Sequence, residues 1–79
     1  MSLQTENLKK HFQALKQNWS STFVARSEVG AFSGGSLNSG TMANEDCKGT
    51  GPKDSFYIGR KKVYPVDSLI EWMQQRARG

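Results

Sequence analysis

Arg60, Lys61 and Lys62 stand in a row behind Gly59, between the β-prone runs Phe56-Tyr57-Ile58 and Val63-Tyr64. Three adjacent cations at a turn suit contact with a polyanion, because each head group reaches a phosphate oxygen while staying in water. Upstream, Ser39, Gly40, Thr41 and Asn44 put small or hydrogen-bonding side chains near the start of a helical segment. Asn44 has the amide needed for a bidentate pair with an adenine edge, and Ser39 or Thr41 can bond a base or a phosphate. Backbone amides at a helix N-terminus favour a phosphate oxygen as well. Arg26 and Lys48 flank this unit and Lys53 follows in a loop, so all three are candidate phosphate contacts. The expected chemistry is recognition of double-stranded DNA, with bases read from the helix and phosphates held by the cations.

Competing readings exist for each feature. A basic turn also keeps an edge hairpin soluble and unpaired. Asn44 can be a solvated surface residue, Thr41 a capping-box variant, and Asn38 reads as a helix cap before it reads as a DNA ligand. Glu45 and Asp46 would repel phosphate. They are expected to face away from it, the other option being to accept from a cytosine amine.

Catalytic and metal chemistry find no support. His11 is the only histidine and Cys47 the only cysteine, so no thiol pair at zinc spacing and no intramolecular disulfide exists. The Glu45-Asp46 side chains diverge by about 100° on a helix, which suits neither a shared metal nor acid/base work. Gly34-Gly35 and Gly49-Thr50-Gly51 lack the Lys-Ser/Thr and strand context of a phosphate loop and read as turns. No enzyme activity, cofactor, metal or small-molecule substrate is expected.

Several short elements must position these residues. Leu8, Phe12, Leu15 and Trp19 recur every three or four residues, which predicts a helix over 5–19 with Thr5 as N-cap and a mildly basic wet face. Phe23-Val24-Ala25 predicts an extended piece that packs or pairs at an edge. A two-turn helix follows from Ser27, its cap, with Val29 and Phe32 buried, and Ser33-Gly34-Gly35 makes a sharp turn. Asn38 caps the next helix, which runs to about Cys47 before Gly49 ends it. Thr50 to Asp54 is loop. Phe56 and Ile58 share one face of a hairpin and Tyr57 the other, and the last helix starts with Pro65 at its first position and carries Leu69, Ile70, Trp72 and Met73. Met42, Val29, Phe32, Phe56, Ile58, Leu69, Trp72 and Met73 are the expected core. The fold class is mainly α with a small β-hairpin, a winged helix-turn-helix over 23–77 with an additional N-terminal helix, in one domain over 1–79.

Composition agrees with that size class. The 79 residues are 35% hydrophobic with a formal net charge of +4, enough for one small core and too little for a deep substrate pocket. Basicity favours an anionic partner. No apolar run approaches the ~18 residues that cross a bilayer, and no stretch near the N-terminus has the apolar core of a signal peptide. A cytoplasmic location, nucleoid-associated when bound, is expected.

The segment from Val24 to Met73 resembles the winged helix-turn-helix domains of the MerR-like superfamily, in particular the excisionase and AlpA-type phage and prophage regulators. The residues that carry the resemblance are Arg26-Ser27-Glu28-Val29, Gly34-Gly35, Thr41-Met42-Ala43-Asn44, Gly49-Thr50-Gly51-Pro52, Ile58-Gly59-Arg60-Lys61, Tyr64, Leu69 and Trp72. It implies a small bacterial DNA-binding protein with a recognition helix in the major groove and a basic wing on the neighbouring backbone or minor groove. It also implies a role in DNA recombination or transcription regulation, with a recombinase or a second copy on DNA as further partner. Glu45 and Asp46 depart from many relatives, which have basic or neutral residues there. The helix before Val24 lies outside the pattern. A different class of function, a protein-interaction module built on the Leu8, Phe12, Leu15 and Trp19 stripe, stands as the alternative; the same stripe can instead cover the core.

Overall fold

The stripe of Phe12, Leu15 and Trp19 turns inward. A computed structural model describes the backbone of residues 2–78 and the side chains of residues 8–78. The first helix, α1, spans Ser2–Asn18, and these three side chains pack against the core from its second half or just beyond it. Three of the four stripe residues therefore help cover the domain's own core while staying partly buried, and Leu8 lines a separate hollow with Lys9, Phe12 and Gln74. Thr5 is not the cap, because the helix already runs through it from Ser2.

After α1 the chain forms β1 (Phe23–Ala25), a 3-10 turn (Arg26–Glu28), α2 (Val29–Phe32), α3 (Ser39–Lys48), β2 (Phe56–Ile58), β3 (Lys61–Pro65) and α4 (Val66–Arg76). The result is a helix-rich domain with one antiparallel three-stranded sheet in the order β1-β3-β2. β1 makes the third strand by pairing Val24 opposite Tyr64 and Ala25 opposite Val63. Two expected boundaries shift. Ser27 lies inside the 3-10 turn and caps nothing, and Pro65 ends β3 in extended conformation as the N-cap of α4. Proline's fixed φ fits either the first helical position or the residue before it, so the sequence pattern leaves that one-residue ambiguity.

The core gathers Val24, Val29, Phe32, Met42, Tyr64, Val66, Leu69, Ile70 and Trp72. Its centre is Val24, Val29, Met42, Tyr64 and Leu69, all fully buried. Phe56 and Ile58 are not in it; they are 39% and 54% exposed. Alternation along the register explains this: Val24 and Tyr64 point to the helices, so Phe56, Ile58 and Val63 point to the other side. Gly34 and Gly35, both at positive φ, carry the chain from α2 toward α3.

Candidate nucleic-acid interface

The N-terminus of α3 is set by Asn38, whose side-chain oxygen accepts a hydrogen bond from the Thr41 amide at 2.8 Å. That bond assigns Asn38 to capping. Ser39, Gly40, Thr41 and Asn44 are all exposed. Gly40, Asn44 and Lys48 recur every fourth residue on the side of α3 opposite buried Met42. A polar strip thus faces outward along the helix while Met42 anchors it.

The hairpin is closed by Gly59 and Arg60 between the cross-strand pair Ile58 and Lys61. Gly59 has φ of 63° and Arg60 stays at negative φ, which is the two-residue turn with glycine in its first central position. The turn holds three exposed or half-exposed cations at one end of the sheet. Lys62 bends its ammonium over the Tyr57 ring, 4.7 Å from the centroid. Among the described residues, no carboxylate lies within ion-pair distance of Arg60, Lys61 or Lys62; the ion pairs belong to Lys16, Arg26, Lys48 and Arg76.

A groove of about 340 Å³ separates the start of α3 from the hairpin. It is lined by Ala25, Arg26 and Ser27, by Ser39 of α3, and by Tyr57, Arg60, Lys61 and Lys62. Five expected contact residues, Arg26, Ser39, Arg60, Lys61 and Lys62, therefore meet around one hollow. Thr41 and Asn44 lie further along α3. Lys48 sits in its last turn, 3.9 Å from Glu45, and Lys53 lines a different hollow of about 370 Å³ against α4. That second hollow also carries Asp54 and Glu71, so its charges largely cancel. The smaller groove, with no carboxylate in its lining, is the better anion site despite its volume.

Two side chains of the groove have no clear local signal in the sequence. Tyr57 is legible as out of phase with Phe56 and Ile58, but its place beside Lys62 depends on the register. Ser27 reads as a cap because serine before a helical run does so generically.

Arg26 is committed within the fold. Its Nη2 donates to Asp46 Oδ2 at 2.7 Å and its Nε donates to the Tyr64 hydroxyl at 3.1 Å. Tyr64 in turn donates to the same Asp46 oxygen at 2.6 Å. The Tyr64 and Asp46 bonds hold the Arg26 guanidinium above its ordinary pKa. Burial, followed by the bond to the Asp46 carboxylate, pushes the Tyr64 phenol up to about 12, against the opposing effect of Arg26. Arg26 thus spends its charge on a carboxylate of α3, which leaves Arg60, Lys61 and Lys62 as the groove's uncompensated cations.

Glu45 is equally occupied. It accepts from the Thr50 hydroxyl at 2.6 Å and from Arg76 Nη2 at 2.5 Å. The Thr50 bond, with Arg76 and Lys48 nearby, lowers its pKa against the cost of desolvation. Trp72 completes the cluster by donating its indole N–H to the Thr50 carbonyl at 2.7 Å. Both acids of α3 are therefore neutralised on the helix side away from Gly40 and Asn44. Among the described residues, no three His, Cys, Asp or Glu side chains gather as metal ligands, and no helix is long and apolar enough to cross a membrane.

Comparison with family models, curated proteins and solved structures finds no match for the chain.

Proposed function

We propose that the chain is a sequence-specific double-stranded DNA-binding protein that works as a winged helix-turn-helix. In this reading α2 and α3 form the helix-turn-helix, α3 enters the major groove, and the β2–β3 hairpin is the wing. The carrying observation is the groove between them, where uncompensated Arg60, Lys61 and Lys62 face the N-terminus of α3. A duplex backbone seated there gains the phosphate term from the wing, while Ser39, Gly40, Thr41 and Asn44 reach toward base edges. Ser27 and the Tyr57 hydroxyl add hydrogen-bonding groups for phosphate or sugar.

The wing supplies affinity without sequence information, so specificity falls to α3 and to DNA shape. Resemblance to excisionases and AlpA-type regulators supports a cofactor-free role in prophage recombination or transcription control in the cytoplasm, with a recombinase or a second copy as neighbour on DNA.

Selection from random duplexes tests this reading. A preferred sequence should emerge, and Asn44→Ala should relax preference at one position at a cost of about 1–3 kcal/mol, with non-specific affinity nearly intact. Failure to enrich any duplex would overturn the proposal.

A further inference from the structure

The sheet has a second face whose apolar side chains DNA recognition leaves unused. Register and alternation place Phe23, Phe56, Ile58, Val63 and Lys61 on the side opposite Val24 and Tyr64. Phe23 and Phe56 meet edge to face, with centroids 5.4 Å apart, across the middle strand. Val63 lies opposite Phe56 in the register and is only 6% exposed, yet it belongs outside the main core. The outer face is thus a small apolar platform already in order. Phe23, Phe56 and Ile58 remain 39%, 39% and 54% exposed on it.

Its border is basic at the hairpin end, while at the other Asp67, paired with Lys16, shares a hollow with Phe23. Lys61 stands opposite Ile58, Arg60 occupies the turn beside them, and β1, β2 and β3 contain no Asp or Glu. β2 is also an edge strand, so one side of its backbone lacks a strand partner.

We propose that this face and the free edge of β2 dock an extended, acidic segment of a partner protein whose alternate residues are apolar. Backbone hydrogen bonds to β2 would hold the segment, its apolar side chains would cover Phe56 and Ile58, and its carboxylates would meet Lys61 and Arg60. The three exposed side chains present roughly 250 Å² of apolar surface, well short of the ~800 Å² per partner of a standard interface between folded proteins, so a short segment fits better. A second copy brings the same basic strands, with no Asp or Glu in β1, β2 or β3 to meet Lys61. An anionic lipid surface satisfies the cations but leaves the β2 backbone without a strand partner.

Phe56 and Ile58 lie outside the groove beside α3 and so separate this proposal from DNA binding, whereas Arg60 and Lys61 serve both. The test pans a random peptide library displayed on phage against the full chain without DNA. Expected peptides alternate Asp or Glu with Val, Ile, Leu or Phe, and a synthetic copy shifts the amide resonances of β2, Phe23 and Val63. Ile58→Thr keeps strand propensity at an exposed site and should weaken peptide binding about tenfold or more, and Phe56→Thr/Ile58→Thr should weaken it further. Duplex binding by Ile58→Thr should be unchanged, and the two readings fail separately: a wild-type chain that binds peptide but no duplex counts against the DNA reading, and one that binds duplex but no peptide counts against this one. Neutral or basic peptides, no enrichment, or binding that survives both variants would overturn the proposal. So would Ile58-dependent binding to phosphatidylserine vesicles without peptide binding, or Ile58-dependent dimers in sedimentation.

Discussion

Asp46 and Tyr64 are joined by a 2.6 Å hydrogen bond from the phenol to Oδ2, the same carboxylate oxygen that receives Arg26 at 2.7 Å. The bond ties α3 to β3, the strand that also carries Lys61 and Lys62. Helix and hairpin are therefore fixed to each other through one residue, Tyr64, two positions from the basic turn. An acid that reads as repulsive to DNA acts as the fastener that orients α3.

Asp46→Asn should destabilise the fold by about 2–3 kcal/mol, since Arg26 and Asp46 are only 26% and 13% exposed and the guanidinium loses its counter-charge. Tyr64→Phe should cost about 1 kcal/mol, and a double-mutant cycle should show coupling between the two sites. Each kcal/mol lowers the melting temperature by about 4–8 °C in a domain of this size. Charge alone predicts tighter DNA binding by Asp46→Asn. Loss of helix orientation predicts a smaller preference for the selected duplex over random duplex, and competition binding should show that smaller ratio.

Alkali should weaken the same cluster. Tyr64 rises from an ordinary value of 10.0 to about 12 in the fold, so the native state holds its phenolic proton more tightly than the unfolded chain. Its contribution is complete below pH 10 and is lost as pH rises toward 12. Denaturant midpoints measured across this window should fall, and should fall less in Tyr64→Phe. Acid acts on Glu45 in the opposite sense: its folded pKa is lowered, so its contribution holds above the unfolded value of 4.5 and disappears as pH drops through the folded one.

Gly51 leaves space that Asp46 needs. A β-carbon at that position would overlap the Asp46 carboxylate. Gly51→Ala should therefore destabilise by about 1–3 kcal/mol and disturb the Arg26 and Tyr64 bonds together. Adding Asp46→Ala should relieve part of that cost, giving a non-additive pair in thermal unfolding. Strict additivity would mean that the two residues do not crowd each other.

Local patterns make most elements legible. The Asn38 cap, the Gly34-Gly35 turn and the glycine of the hairpin each have a short-range cause, and the structure has each of them. The three-residue β1 is legible as an extended edge piece because its apolar residues suit a pleat. Faces of strands are harder. Phe56 and Ile58 have core composition, but only the pairing of β1 with β3 determines which side receives the helices. The candidate site is visible where charge is local, at Arg60, Lys61 and Lys62. It is hidden where it depends on groups distant in sequence: Arg26 reads as a free cation until Asp46, twenty positions on, folds against it. Tyr64 gives no local sign that it links them.

The salt dependence of duplex binding separates a DNA-contacting wing from a merely soluble hairpin, with wild type compared to Arg60→Gln/Lys61→Gln/Lys62→Gln. Each neutralised phosphate contributes about 0.9 to the slope of log affinity against log salt concentration. If the hairpin is a wing, the triple variant binds more weakly and its slope becomes shallower by about one unit for each phosphate the wing no longer neutralises, up to about three. An unchanged affinity and slope would mean that the hairpin does not contact the duplex.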